Sequence, residues 1–119
     1  RPLRVVADQY GAPTPAALIA DATAHALQSD NTMSGMWHLS TTGVTSWHGF
    51  AAEIFRQLRE DDPAGIDVEI VPLTTSEYPT RARRPAYSCL DSARMRADFN
   101  LDLPDWRIAL QRVIGSIPA

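Results

Sequence analysis

Leu3-Arg4-Val5-Val6-Ala7-Asp8-Gln9-Tyr10-Gly11-Ala12-Pro13-Thr14-Pro15 carries three structural signals in series. Residues 3–7 are short and rich in β-branched side chains, which suits a strand. Residues 8–14 hold Gly11 and Pro13, which interrupt ladders and helices alike, so they read as a loop. Thr14 then offers a hydroxyl to the free N–H groups of a helix start, and Pro15 suits the first helical position. The expected helix covers residues 15–27, with Leu18, Ala22 and His25 or Ala26 along one face. A strand, a loop and a helix in this order form the unit of an α/β fold, and its loop lies where open α/β sheets bind ligands. An ordinary capped turn is the alternative reading of the same loop.

Outward from this unit the alternation continues. Residues 28–34 read as a polar loop. Gly35-Met36-Trp37-His38-Leu39-Ser40 reads as a second strand, with a loop at 41–45. Thr45 or Ser46 is the expected cap of a second helix through Leu58, whose apolar stripe is Phe50, Ile54, Phe55 and Leu58. Residues 66–73 alternate and are β-branched, as a strand requires. Residues 74–86, interrupted by Pro79 and Pro85, read as an ordered surface loop with one helical turn at 76–78. A short strand is expected at 87–90. Asp91 should cap a helix over 92–99 that closes on Asn100 in the left-handed region. Pro104 opens a last helix over 105–114. The fold class is α/β.

A chain of 119 residues fits one small domain or a piece of a larger one. Its 45% hydrophobic and 21% charged content is that of a globular protein. A net charge of -3 argues against nucleic-acid binding, which needs a basic surface to neutralise phosphates. No apolar run approaches the roughly 20 residues of a membrane span, and no signal peptide opens the chain. The single Cys89 allows no internal disulfide; it reads as a small packed residue in a strand, and a cytoplasmic location is expected. The chain opens on Arg1 with a strand almost at once, so an excerpt of a longer protein is expected.

Candidate chemistry is sparse. Arg81, Arg83 and Arg84 precede Pro85, and guanidinium forks suit phosphate or carboxylate; a solvated basic loop is the competing reading. His48, in the first turn of the second helix, has no partner at metal-ligand spacing and reads as packed or capping. His25 and His38 read as structural, and Asp61 and Asp62 as a solvated pair. The chain contains no lysine, since all 11 basic residues are arginine. Tyr10, Tyr78 and Tyr87 therefore lack the lysine partner of a reductase acid, and no G-x-x-G-x-x-G is present to hold a dinucleotide.

Read together, the segments resemble the C-terminal part of the dTDP-4-dehydrorhamnose reductase family, extended short-chain dehydrogenases/reductases. Val5 to Thr14 resembles that family's strand and "DQ-x-G-x-PT" loop. Gly35-Met36-Trp37-His38-Leu39 and Thr45-Ser46-Trp47-His48-Gly49-Phe50-Ala51 resemble its "G-x-Y-H-L … T-x-W-x-x-[FY]-A" run. Tyr78-Pro79-Thr80, Arg84-Pro85-x-x-Ser88-x-Leu90 and Leu103-Pro104-Asp105-Trp106 complete the series.

The resemblance implies an NAD(P)-binding Rossmann-like enzyme. It would reduce the C4 ketone of dTDP-4-dehydro-L-rhamnose to dTDP-L-rhamnose with NADPH or NADH, late in a bacterial cell-surface sugar pathway. Residues 1–119 would be its C-terminal substrate-binding portion, the last Rossmann strand and helix plus a sugar-nucleotide lobe. The cofactor domain and the catalytic Tyr/Lys would lie N-terminal, leaving this chain alone inactive, with no catalytic residue of its own. Gln9, Gly11, Pro13 and Thr14 would shape one wall of the sugar-nucleotide cleft, and Arg84 would approach the phosphates. Some members hold an inter-subunit Mg2+ through an acidic residue where Ala16 and Ala17 stand here, so no metal is expected. The implied partners are a dTDP-sugar, the N-terminal Rossmann domain and a second copy, as homodimer or through self-association of the piece. The alternatives are a non-catalytic relative, such as a methionine adenosyltransferase regulatory subunit, and the C-terminal lobe of another nucleotide-sugar epimerase or dehydratase. Those last enzymes usually carry a diphosphate-binding arginine in the loop that here reads Asp8 to Thr14.

Overall fold

The computed structural model describes residues 1–30, 32–65 and 67–118. Asn31, in the expected polar loop, and Ile66, at the start of the expected strand 66–73, lie outside the described residues. Strand β1 (Leu3–Val6) pairs in parallel with β4 (Ile70–Leu73), Leu3 opposite Ile70 through Val6 opposite Leu73. The intervening chain makes the crossover that parallel pairing requires. It carries β2 (Tyr10–Gly11), α1 (Ala16–Gln28), β3 (Thr45–Ser46) and α2 (Trp47–Asp61). After β4 come a 3-10 turn (Thr75–Glu77), α3 (Ala93–Phe99) and α4 (Trp106–Gly115).

Helix α2 packs on both β1 and β4, and α4 lies against α2. Ser46 caps α2 by accepting from the Gly49 N–H at 3.0 Å. The helix runs three residues past the expected Leu58; near that end, Arg56 pairs with both Glu53 and Glu60. The stripe Phe50, Ile54, Phe55 and Leu58 is half-buried, as its spacing implies. Gln57 is buried beside it, with its amide donating to Glu53 Oε1 at 2.9 Å and to the Arg107 carbonyl at 3.2 Å.

Trp106, 2% exposed, centres the core and meets Phe50 edge-on at 6.2 Å between ring centroids. Its helix is held at the start by the Asp105 carboxylate, which accepts from the Arg107 N–H, and by Thr42. The Thr42 N–H donates to the Pro104 carbonyl at 2.9 Å, and the Thr42 carbonyl accepts from the Trp106 N–H at 3.0 Å. Gly43, next to this junction, has φ +85°, and a Cβ there would sit 2.6 Å from Asp105 Oδ2 and 3.0 Å from Trp106 Cδ1. Only glycine meets both demands.

Several expected elements are corrected. Residues 35–40 form no strand, because side chains hold them in place of a ladder. The Ser40 N–H donates to Ser92 Oγ at 2.9 Å, and Trp37 donates to Asp98 at 2.7 Å while stacking edge-on against Phe99. His38 is accordingly exposed and off any strand. Residues 87–90 contribute a single bridge, Tyr10 to Tyr87, and Cys89 is half-buried in a loop with its Sγ 3.7 Å from the Gly43 carbonyl. Thr14 does not cap α1. Pro15 occupies the cap position without a side-chain bond, and the Thr14 hydroxyl donates to the Ala12 carbonyl at 3.0 Å. The 3-10 turn starts one residue earlier than expected, fixed by reciprocal hydrogen bonds between Thr74 and Glu77. Ser92, not Asp91, is the cap residue of α3, although the Asp91 carboxylate accepts from the Ala93 N–H. Asn100 ends that helix at φ 50°, as expected. His48 reaches the Ile70 carbonyl at 3.2 Å and His25 the Phe99 carbonyl at 2.9 Å, both structural contacts.

Candidate functional site

Three segments far apart in the chain meet at Tyr10. On one side β2 pairs antiparallel with β3, Tyr10 opposite Ser46 and Gly11 opposite Thr45. On the other, the Tyr10 N–H donates to the Ala86 carbonyl at 2.8 Å, and the Ser88 N–H donates to the Tyr10 carbonyl at 2.9 Å. Two residues of backbone thus stitch the 9–13 loop to the first turn of α2 and to the Arg84–Ser88 stretch.

The concavity enclosed by these segments has a volume of about 390 Å3, within the usual range for small-molecule sites. Gln9, Gly11, Pro13 and Arg84, four of the five residues singled out from sequence, line it together. Thr14 does not. It braces the loop from behind, where the Thr41 N–H donates to its hydroxyl at 3.1 Å and the Thr41 hydroxyl donates to the Pro13 carbonyl at 2.9 Å. Arg81 and Arg83 are exposed and lie outside the lining. Sequence reasoning missed Tyr10, Ser46, Trp47, Phe50 and Ser88 as lining residues. The Trp47-His48 pair just past a cap was the one available signal, but periodicity says nothing of which cavity a helix start faces.

The loop is held by identifiable contacts. Asp8 accepts from the Thr75 hydroxyl at 2.6 Å and from the Thr75 N–H at 3.0 Å. The Thr75 hydroxyl bond, with the backbone bond behind it, holds the Asp8 carboxyl below the usual carboxylate range. The Gln9 amide donates to the same Thr75 hydroxyl at 3.3 Å. Ser46 is occupied by its cap, and Ser88 donates to the Tyr10 carbonyl. The serine and threonine hydroxyls of the lining are therefore engaged internally. Arg84 is different: among the described residues it makes no hydrogen bond or ion pair, so its guanidinium is available for an anion. The positive end of the α2 dipole lies at the same wall. Among the described residues no group of three His, Cys, Asp or Glu is close enough to hold a metal, and no helix is long and apolar enough to cross a membrane.

A family profile described as the RmlD substrate binding domain matches residues 1–118. The chain belongs to this family. It is 44% identical over 118 residues to a dTDP-4-dehydrorhamnose reductase of Burkholderia thailandensis, covering 91% of this chain and 39% of that relative. A crystal structure of a dTDP-4-dehydrorhamnose reductase from Clostridium acetobutylicum superposes with a TM-score of 0.81 at 36% identity, covering 95% of this chain and 38% of the other. The Bacillus anthracis reductase, solved in complex with NADP, gives 0.80 at 32% identity, covering 98% of this chain and 39% of that one. The chain thus spans about two-fifths of the length of the relatives it matches. The α/β fold expected from sequence is that of these reductases.

Proposed function

We propose that this chain is the substrate-binding part of a dTDP-4-dehydrorhamnose reductase, and that the cavity at Tyr10 receives the sugar nucleotide. The complete enzyme reduces the C4 ketone of dTDP-4-dehydro-L-rhamnose to dTDP-L-rhamnose with NADPH or NADH as hydride source. No dinucleotide step is assigned to this chain, which has neither a glycine-rich turn nor a Tyr-x-x-x-Lys. Those parts belong to an N-terminal Rossmann domain, and residues 1–119 alone are inactive. Exposed Leu3, Ile19, Leu27 and Ile117 support docking of this piece on that domain or on a second copy.

The observation that carries the reading is the convergence of Gln9, Gly11, Pro13 and Arg84 on one cavity in a chain of this family. Gln9, Gly11 and Pro13 form a wall, Thr14 holds that wall in place, and Arg84 binds phosphate oxygens. In the full-length enzyme, Arg84→Ala should raise the KM for the sugar nucleotide about tenfold or more, the size of a lost charged hydrogen bond, and leave the KM for NADPH nearly unchanged. Equal effects on both, or none, remove the phosphate role.

A further inference from the structure

Trp47 is the first residue of α2, and the helix does not bury it. Phe50, one turn on, borders the cavity but meets Trp106 edge-on, whereas Trp47 stays 58% exposed and lines the same cavity as Arg84. Among the described residues its indole N–H has no hydrogen-bond partner. An indole left outside the core forgoes one of the largest apolar burials available to a side chain, which calls for an occupant.

What the cavity still has to offer a ligand narrows the choice. Its serine hydroxyls are engaged with the chain itself, Ser46 as a cap and Ser88 on the Tyr10 carbonyl. Besides the exposed Tyr10 ring, the cavity presents three elements to a ligand: the Trp47 π-face, its indole N–H and the Arg84 guanidinium. A flat ring tethered to a phosphate group meets all three. Taking the sugar-nucleotide reading above as its premise, we propose that Trp47 is the platform on which the nucleotide base stacks, with the diphosphate on Arg84. Stacking of a base on an aromatic face is a strong interaction that reads the ring more than its hydrogen-bonding edge. Trp47 thus anchors the nucleoside end and leaves the sugar to the part of the enzyme that reduces it.

Tyr10, 45% exposed, is the other open ring of this cavity and serves as control. The test is titration of the full-length reductase with dTDP alone, read by calorimetry, for wild type and for Trp47→Ala, Trp47→Phe, Tyr10→Ala and Arg84→Ala, with NADPH titrated in parallel. Trp47→Ala should weaken dTDP about tenfold or more and leave NADPH unchanged. Trp47→Phe, which keeps a ring, should recover most of that loss. The tryptophan emission of the wild type should be quenched by dTDP, and that of Trp47→Phe much less so. Three results overturn the proposal: unchanged dTDP affinity in Trp47→Ala, equal losses for dTDP and NADPH with a lowered Tm, or a loss confined to Tyr10→Ala. Arg84→Ala separates the premise from the proposal. If it loses dTDP while Trp47→Ala does not, the cavity is the nucleotide site and the stacking is wrong. If neither changes dTDP affinity, the cavity reading itself falls.

Discussion

The Trp106 core and the Tyr10 cavity share α2 yet are built on opposite rules. Trp106 is almost fully buried, on a helix that also buries Ala109 and Leu110, and its position is set by tightly held backbone at Gly43 and Thr42. Around Tyr10 the serine hydroxyls serve the backbone, and the Trp47 indole N–H and the Arg84 guanidinium have no hydrogen-bond partner among the described residues. The difference shows how one helix both stabilises and binds. Phe50 borders the cavity but meets Trp106 edge-on, Trp47 opens on the cavity, and Ser46 caps the helix that carries both. Precision at the cavity therefore depends on residues that need not touch a ligand.

This division can be broken most severely at Trp106. Trp106→Ala should destabilise the full-length protein by about 3–5 kcal/mol, measured by urea unfolding, with dTDP affinity of the remaining folded protein changed little. A selective loss of affinity without loss of stability would merge the two regions. Ser46→Ala is a finer probe, since Ser46 lines the cavity but directs its hydroxyl at the Gly49 N–H. It should cost about 1 kcal/mol in the same experiment, the usual loss for a cap, and leave the KM for the sugar nucleotide within a factor of about two or three. A large KM effect would place that hydroxyl on the ligand.

The smallest effect concerns Glu53, on the core side. The Arg56 guanidinium beside it, helped by the Gln57 amide and opposed by burial, holds its carboxyl down to about 2. A folded pKa below the ordinary 4.5 means stabilisation that is complete above about pH 4.5 and is lost as pH falls through about 2. The stability of the protein should therefore fall over that window, and Glu53→Gln should flatten part of the slope in unfolding midpoints taken across it. Because Arg56 is largely exposed, solvent screening keeps the effect small. An unaltered slope would show that the pair does not form in solution.

Much of the fold was legible because its signals are local. Thr45-Ser46 before an apolar stripe, Asn100 after a short helix and β-branched residues 3–6 declare caps and elements through chemistry within a few residues. The failures share one cause. Residues 35–40 and 87–90 look extended in sequence, but a strand needs a partner, and their hydrogen bonds go to Ser92, Asp98 and a single bridge. Thr14 looks like a cap, yet its hydroxyl is claimed by Ala12 and Thr41. Trp47 was visible as a residue but not as part of the cavity, since the direction of a helix start is a property of packing.

The sequence by itself determined the α/β class, most helix positions, the family, and the absence from this chain of the glycine-rich turn and the lysine that a short-chain reductase uses. Those follow from local backbone preferences and from which residue types are present at all. The tertiary structure alone decided that residues 9–13, 45–50 and 84–88 share one cavity. Pairing across intervals of some 35 and 75 residues is fixed by burial and by long-range backbone hydrogen bonds at Tyr10, which no local pattern encodes.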